Sequence, residues 1–191
     1  MKKVEGGVTA ALGFEAAATA AEIKYQNRTD MALVYSKVPC KAAGTFTTNV
    51  VKAAPVMWDK KIVENSPAVQ AVVVNSGIAN ACTGAQGMEC CEKTARAAAE
   101  ALNIQADAVL VASTGVIGMQ IPVDRITKGV AVLAREKKEG LEAGSKAAKA
   151  IMTTDTISKQ AAVKLTIGGK EVTVGGMCKG SGMIHPNMCT M

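Results

Sequence analysis

The run Ala68-Val69-Gln70-Ala71-Val72-Val73-Val74-Asn75 constrains the fold of this chain most strongly. It is almost continuously apolar and rich in β-branched residues, which predicts a strand buried on both faces. It runs into Ser76-Gly77-Ile78-Ala79-Asn80, and a second apolar run, Ala108-Val109-Leu110-Val111-Ala112, ends in Ser113-Thr114-Gly115-Val116-Ile117-Gly118. A strand that opens into small residues is a frequent place for exposed backbone N–H groups.

Between these runs Met88, Cys91, Ala95, Ala98 and Leu102 recur at three- and four-residue spacing, which predicts a helix covering the first strand. Thr83-Gly84-Ala85-Gln86 has the form of a capping box at its start. Helical sequence resumes after Pro122 with Ile126, Val130 and Leu133 on one face. Gly140 interrupts it before a second helical piece from Leu141 to Met152. Ala162 to Ile167 alternates, Gly168-Gly169 is a two-residue hairpin signal, and Val172 and Val174 return antiparallel. Met31 to Ser36 is a further strand, Gly44 to Asn49 carries β-favouring residues, and 4–24 reads as mixed loop and short strand.

The 191 residues suit one domain, or one large piece of a bigger one. Aromatics make up only 3%, and the densest charge run, Arg135 to Glu139, mixes signs like a solvated helix face. With the net charge of +6 spread along the chain, nucleic acid is not an expected partner, and small acidic metabolites suit the positive charge better. The six cysteines form no C-x-x-C pair and the one histidine completes no usual zinc set, so small buried thiols in a reducing cytosol are expected, without metal. Met1-Lys2-Lys3 is followed by no apolar segment of signal-peptide type, and no apolar run approaches the roughly 18 residues of a span. A cytoplasmic protein without a membrane partner is the expectation.

The closing stretch, Gly175 to Met191, has no helical or strand period and gathers glycines, Lys179, His185 and Thr190. Thr190 reads either as a threonine in a frayed tail or as a nucleophile created by cleavage of the Cys189–Thr190 bond. In the second case its freed α-amine serves as the base that a threonine hydroxyl needs. Thr114-Gly115 reads either as an ordinary strand-to-loop turn or as an oxyanion hole, built from the Gly115 N–H and the Thr114 hydroxyl. Lys179 reads either as a solvated surface lysine or, set among Cys178, Gly180 and Gly182 with little local reason to be there, as a residue that binds a substrate carboxylate. Thr153 to Thr156 reads by itself as a helix-end cap. His185, extended before Pro186 and without a partner in view, is the weaker catalytic candidate.

Lys179-Gly180-Ser181-Gly182-Met183-Ile184-His185-Pro186-Asn187-Met188-Cys189-Thr190-Met191 resembles the processing motif of the ornithine acetyltransferase (glutamate N-acetyltransferase) family of arginine biosynthesis. Further blocks resemble it in the same order: Gly6 to Ala10, Ala43 to Asn49, Lys52 to Val56, Val74 to Gly77, Asn80 to Gly84, Ser113 to Gly118 and Met152 to Thr156. The resemblance implies an α/β (α+β) fold, a layered α-β-β-α sandwich completed by a β chain. Residues 1–191 would be a single α-chain domain plus the first β residues, with self-cleavage at 189/190.

The new N-terminal threonine, matched by Thr190, would take an acetyl group from N-acetylornithine and pass it to glutamate. Acetyl-CoA is an additional donor in some members, and no bound cofactor is implied. Thr114 and Gly115 match the oxyanion-hole pair, Thr153 and Lys179 match substrate-binding residues together with Thr190, and an α2β2 assembly is implied. The sequence departs from the family at Cys189, where alanine is usual, and at Ile78, where asparagine is common.

Overall fold

A computed structural model of the chain describes residues 1–180. Its elements follow one another as β1 (Lys2–Val4), β2 (Phe14–Thr19), β3 (Met31–Cys40), α1 (Ala54–Asn65), β4 (Val69–Ile78), α2 (Gly84–Leu102), β5 (Val109–Val116), α3 (Val123–Glu136), α4 (Leu141–Ala150), β6 (Lys159–Ile167) and β7 (Lys170–Cys178), with short 3-10 turns at Val8–Ala10 and Ala106–Ala108. The mixed α+β class read from the sequence is what these elements build.

A four-stranded sheet has the order β2-β3-β4-β5, and a three-stranded antiparallel sheet has the order β1-β6-β7. In the larger sheet β3 lies antiparallel to β2 and β4, whereas β4 and β5 run parallel, joined by the crossover through α2. Alternation along the strands divides the core. Leu33, Val73, Val109 and Val111 face a helical layer that contributes Trp58 and Ile62 of α1, Cys91, Ala95 and Ala98 of α2, and Ile126, Val130 and Leu133 of α3. The other face, at Ala16 and Ala32, packs against Ala143, Ala147 and Ala150 of α4, with Met177 of β7 at its margin. Alanine on both sides of this second contact lets helix and sheet approach closely.

The predicted helical faces hold: Cys91, Ala95, Ala98, Ile126, Val130 and Leu133 are all buried. The Gly168-Gly169 turn also holds, with φ of 57° and 78°, the left-handed pair that a tight hairpin of this kind demands. Gly140, at φ 105°, separates α3 from α4.

Several expectations are corrected. The apolar runs of β4 and β5 are buried on one face only; Val72, Val74, Leu110 and Ala112 on the other are half-buried. The strand beginning at Met31 continues past Ser36 to Cys40, across a register shift that absorbs Pro39. The alanine-rich stretch forms β2, because pairing with β3 and cover from α4 decide its conformation where local pattern is silent. The β-favouring residues after Gly44 form no strand.

A helix missed in the sequence, α1, starts with Pro55 in its first turn and buries Trp58 and Ile62 four residues apart. Thr83 stands at the N-cap of α2 without capping it. Its hydroxyl donates instead to Asn80 Oδ1 (2.8 Å), and the Asn80 amide donates to the Gly87 carbonyl (3.0 Å). Nor is the charge run after Arg135 wholly solvated: Lys138 exchanges two backbone hydrogen bonds with Ala16. Among the cysteines, Cys90 and Cys91 are buried as expected, but Cys82 and Cys178 are exposed and Cys40 is intermediate.

No helix among the described residues is long and apolar enough to cross a membrane.

Candidate active site

β5 is the outer strand of the larger sheet, so half of its backbone groups point away from β4. α1 covers part of that edge with two side chains. Trp58 Nε1 donates to the Val109 carbonyl (3.0 Å), and Asp59 Oδ1 accepts from the Val111 N–H (2.9 Å). At the far end the Val116 carbonyl faces the β4 side, where it accepts from the Ala79 N–H. The alternation between these points sets the Gly115 N–H on the outer edge, past the bonds made by Trp58 and Asp59. Thr114 beside it is half-buried and Gly115 is exposed.

Burial pushes the Asp59 carboxyl up to about 7, against the opposing hydrogen bond from Val111. Its neighbour Cys91 is pushed up to about 12, first by burial and then by the nearby Cys90 and Asp59. That thiol is an inert packing group.

Across the parallel pair, Ser76 sits opposite Thr114 and Gly77 opposite Gly115. Gly115 has φ 137°, and a Cβ there would lie 2.2 Å from the Gly77 carbonyl carbon, so two independent constraints require glycine. Gly77, at φ 107°, is in turn overlain by Lys24, whose Cβ lies 3.1 Å from where a Cβ on Gly77 would stand. The segment carrying Lys24 is itself fixed by Asp30, which accepts from the N–H groups of Ala21 (2.7 Å) and Ile23 (2.6 Å). The end of β4 and β5 is thus a narrow backbone shelf under the 20–30 loop.

Ser76 joins this shelf to the helical layer on the opposite face. Its N–H donates to the Asp30 carbonyl (2.8 Å), and its buried hydroxyl donates to the carbonyl of Ala150, the last residue of α4 (2.8 Å). Asn75 alongside donates to the Ile78 carbonyl (3.0 Å) and accepts from the Ser113 hydroxyl (2.6 Å). Ile78 is 2% exposed within the core. It offers a carbonyl to Asn75 and no polar side chain to any ligand.

Just beyond Ala150 the chain makes the tight 152–156 turn. Arg28 donates from Nη2 to the carbonyls of Met152 (2.6 Å) and Thr153 (3.2 Å), placing a cation at a helix C-terminus. The Asp155 side chain is only 2% exposed and accepts four hydrogen bonds or ionic contacts. Oδ1 receives the Gly180 N–H (2.5 Å) and Lys159 Nζ (3.1 Å); Oδ2 receives the Thr153 N–H (3.2 Å) and faces Lys179 Nζ at 3.4 Å. Burial alone would raise the pKa of this carboxyl. The Lys159 hydrogen bond, the two backbone N–H groups and the Lys179 charge outweigh it and hold the group well below the usual carboxylate range.

The residues singled out in the sequence therefore fall into two groups and a remainder. Thr153, by its backbone N–H, and Lys179, by its ammonium group, share Asp155 Oδ2. Thr114 and Gly115 connect to them by way of Ser76 and Ala150. Cys189, Thr190 and His185 lie outside the described residues. Sequence reasoning missed Ser76 and Asp155. A signal for Asp155 existed, since it is the single acidic residue of the polar run 153–156. Nothing in the sequence distinguishes Ser76 from a loop serine. No cluster of His, Cys, Asp or Glu suited to a metal ion occurs among the described residues.

Comparison with known proteins bears on this arrangement. The model of the family described as "ArgJ family" matches residues 15–191. The arginine biosynthesis bifunctional protein ArgJ of Symbiobacterium thermophilum is 54% identical over 193 residues, covering 100% of this chain and 47% of that protein. The chain spans about half the length of the curated relatives it matches. Among solved structures, the Bacillus halodurans arginine biosynthesis bifunctional protein superposes with a TM-score of 0.91 at 41% identity, covering 97% of this chain and 96% of that one. The ornithine acetyltransferase of Mycobacterium tuberculosis, in complex with ornithine, gives 0.89 at 46% identity and covers 95% of each chain. A family model spanning nearly the whole chain, and relatives of this identity along its full length, make the chain a member of the ArgJ family.

Proposed function

We propose that residues 1–191 are the α part of an acyltransferase that moves an acetyl group from N-acetylornithine to glutamate, with acetyl-CoA as a further candidate donor and no bound cofactor. The observation that carries this reading is the conjunction of family membership with the 76/114 and 153/155/179 arrangement, in which the end of β4–β5 is tied to the last residue of α4 and Lys179 faces Asp155 of the turn that follows.

In this reading the precursor cleaves itself between Cys189 and Thr190, and the α-amine freed on Thr190 serves as the general base for its own hydroxyl. The hydroxyl attacks the acetyl carbonyl of N-acetylornithine. The Gly115 N–H and the Thr114 hydroxyl hold the negative charge that develops on the carbonyl oxygen, each such donor contributing about 3 kcal/mol. Ornithine leaves with the proton, and the amine of glutamate then attacks the acetyl-threonine ester and regenerates Thr190. Lys179, with Thr153 beside it, holds the carboxylate of the amino-acid substrate.

The rest of the site comes from the β chain of the same precursor, in an α2β2 assembly located in the cytoplasm. Cys189 is small, like the alanine usual there, and self-cleavage before Thr190 is expected to survive the change.

The test is a steady-state assay of the full-length, self-processed protein with N-acetylornithine, in the presence and absence of glutamate. Formation of N-acetylglutamate with ping-pong kinetics supports the reading. Release of free acetate at the same rate without glutamate would make the protein an N-terminal-nucleophile amidase instead.

A further inference from the structure

Asp155 has no assigned role in the chemistry above, yet it is the most heavily engaged carboxylate among the described residues. A carboxylate with 2% of its side chain exposed incurs a large desolvation cost, which is offset only when its oxygens are satisfied. Here the satisfaction is divided between two parts of the chain. Thr153 and Lys159 belong to the turn after α4 and the start of β6; Lys179 and Gly180 belong to the segment leaving β7. The hairpin register sets Lys159 opposite Cys178, so the carboxylate stands at the open end of the β6–β7 pair, where the ladder stops and can no longer hold the chain. From there it takes over as the anchor.

Gly180 fits this anchor closely. A Cβ on residue 180 would lie 2.4 Å from Asp155 Oδ1 and 2.6 Å from Lys159 Nζ, so the glycine is what lets the backbone N–H reach the carboxylate. Lys179 is held twice, by Asp155 Oδ2 and by donation to the Gly180 carbonyl (2.8 Å), and it stays 26% exposed. One carboxylate facing two ammonium groups leaves one positive charge uncompensated. The part of that charge on Lys179 is open to solvent and therefore to an anionic ligand.

We infer that Asp155 is the positioning residue of the site: it fixes Lys179 to receive the substrate carboxylate and pins Gly180 so that the chain leaves β7 in one direction. This rests on the reading of Lys179 as the carboxylate-binding residue. Asp155 does not touch substrate; it acts through residues 179 and 180.

The experiment uses the full-length self-processed protein as wild type, Asp155→Asn, Lys179→Met and the double variant. Two quantities are read: KM and kcat for N-acetylornithine, and hydrogen–deuterium exchange of the peptide covering residues 178–182. Asp155→Asn keeps the shape and removes the charge. It is expected to raise KM about tenfold, as loss of a charge-assisted contact does, with kcat changed by less than about threefold. The double variant is expected to raise KM no further than Lys179→Met alone, and exchange at 178–182 is expected to quicken in Asp155→Asn.

Should Asp155→Asn fail to accumulate, Gly180→Ala breaks the same contact from the other side and is expected to raise KM likewise. Unchanged exchange with unchanged KM in Asp155→Asn, while Lys179→Met still raises KM, overturns the inference and leaves the reading of Lys179 standing. KM rises that multiply in the double variant overturn it too. Faster exchange with KM indifferent to both substitutions upholds the positioning and removes Lys179 from substrate binding.

Discussion

Gly115 and Gly77 face each other across the parallel pair of β5 and β4 so closely that a methyl group on Gly115 would lie 2.2 Å from the Gly77 carbonyl carbon. Both hold positive φ, at 137° and 107°. The backbone at this end of the sheet is set by the absence of side chains, and the direction of the Gly115 N–H follows from it.

Gly115→Ala is accordingly expected to push β5 away from β4 and to lower kcat at least 100-fold, the scale of losing one preorganised oxyanion donor. Thr114→Ala removes the hydroxyl without a clash. It is expected to lower kcat by about 10²-fold with KM within about twofold of wild type, because the donor acts on charge present only in the transition state. Steady-state kinetics on the processed protein checks both, and a kcat unchanged in Thr114→Ala would remove that residue from the oxyanion hole.

Ser76→Ala tests the link between the β4–β5 shelf and α4. The hydroxyl is buried and bonded to the Ala150 carbonyl, and its removal leaves that carbonyl without this partner. A destabilisation of about 1–3 kcal/mol is expected in urea unfolding. A fall in kcat is also expected, since the 152–156 turn follows directly. A variant as stable and as active as wild type would show that the two halves of the site are independent.

Asp59 gives the protein a pH dependence of definite sign. Its carboxyl is raised from 3.8 to about 7 in the folded chain, so the folded state holds the proton where the unfolded chain has released it. The stability contributed by Asp59 is therefore full below the unfolded value and is lost as pH rises toward 7, at up to about 1.4 kcal/mol per pH unit. Asp59→Asn, which keeps an acceptor for the Val111 N–H, is expected to flatten that slope and to be more stable than wild type above pH 7. Thermal melts across pH 5 to 8 would show it, and parallel slopes for the two proteins would contradict it.

Asp155 works in the opposite sense. Because its carboxyl is held below its usual range, its contribution is present above the ordinary carboxylate pKa and is lost as pH falls through the folded value. Acidification below about pH 4 is thus expected to loosen residues 178–180 ahead of the core, read as hydrogen exchange at those residues. Equal protection of core and segment throughout the acid titration would contradict it.

Elements fixed by their own periodicity were legible in the sequence. The faces of α2 and α3, the Gly168-Gly169 turn and the interruption at Gly140 all follow from local spacing and turn chemistry. What was not legible depends on partners distant in the chain. β2 is a strand because β3 and α4 flank its alanines, Thr83 turns from capping to Asn80, and the two cations beside Asp155 meet it only when β6 and β7 have paired. Within the site, Thr114, Thr153 and Lys179 carried recognisable sequence signals. Ser76, which ties the β4–β5 end to α4, is legible only in three dimensions, because a hydrogen bond over 74 residues leaves no mark in a local pattern, whereas Asp155 stood out only as the single acidic residue of its polar run.

Acylation of Thr190 as a new N-terminus is read from the intact mass of the full-length protein. After incubation with N-acetylornithine, and no glutamate, one fragment ending at Cys189 is expected beside a second that begins at Thr190 and is heavier by one acetyl group. Addition of glutamate should remove that acetyl group, and Thr190→Ala should leave the protein uncleaved and unacetylated. An uncleaved protein that still forms N-acetylglutamate, or an acetyl group carried on any other residue, would contradict it.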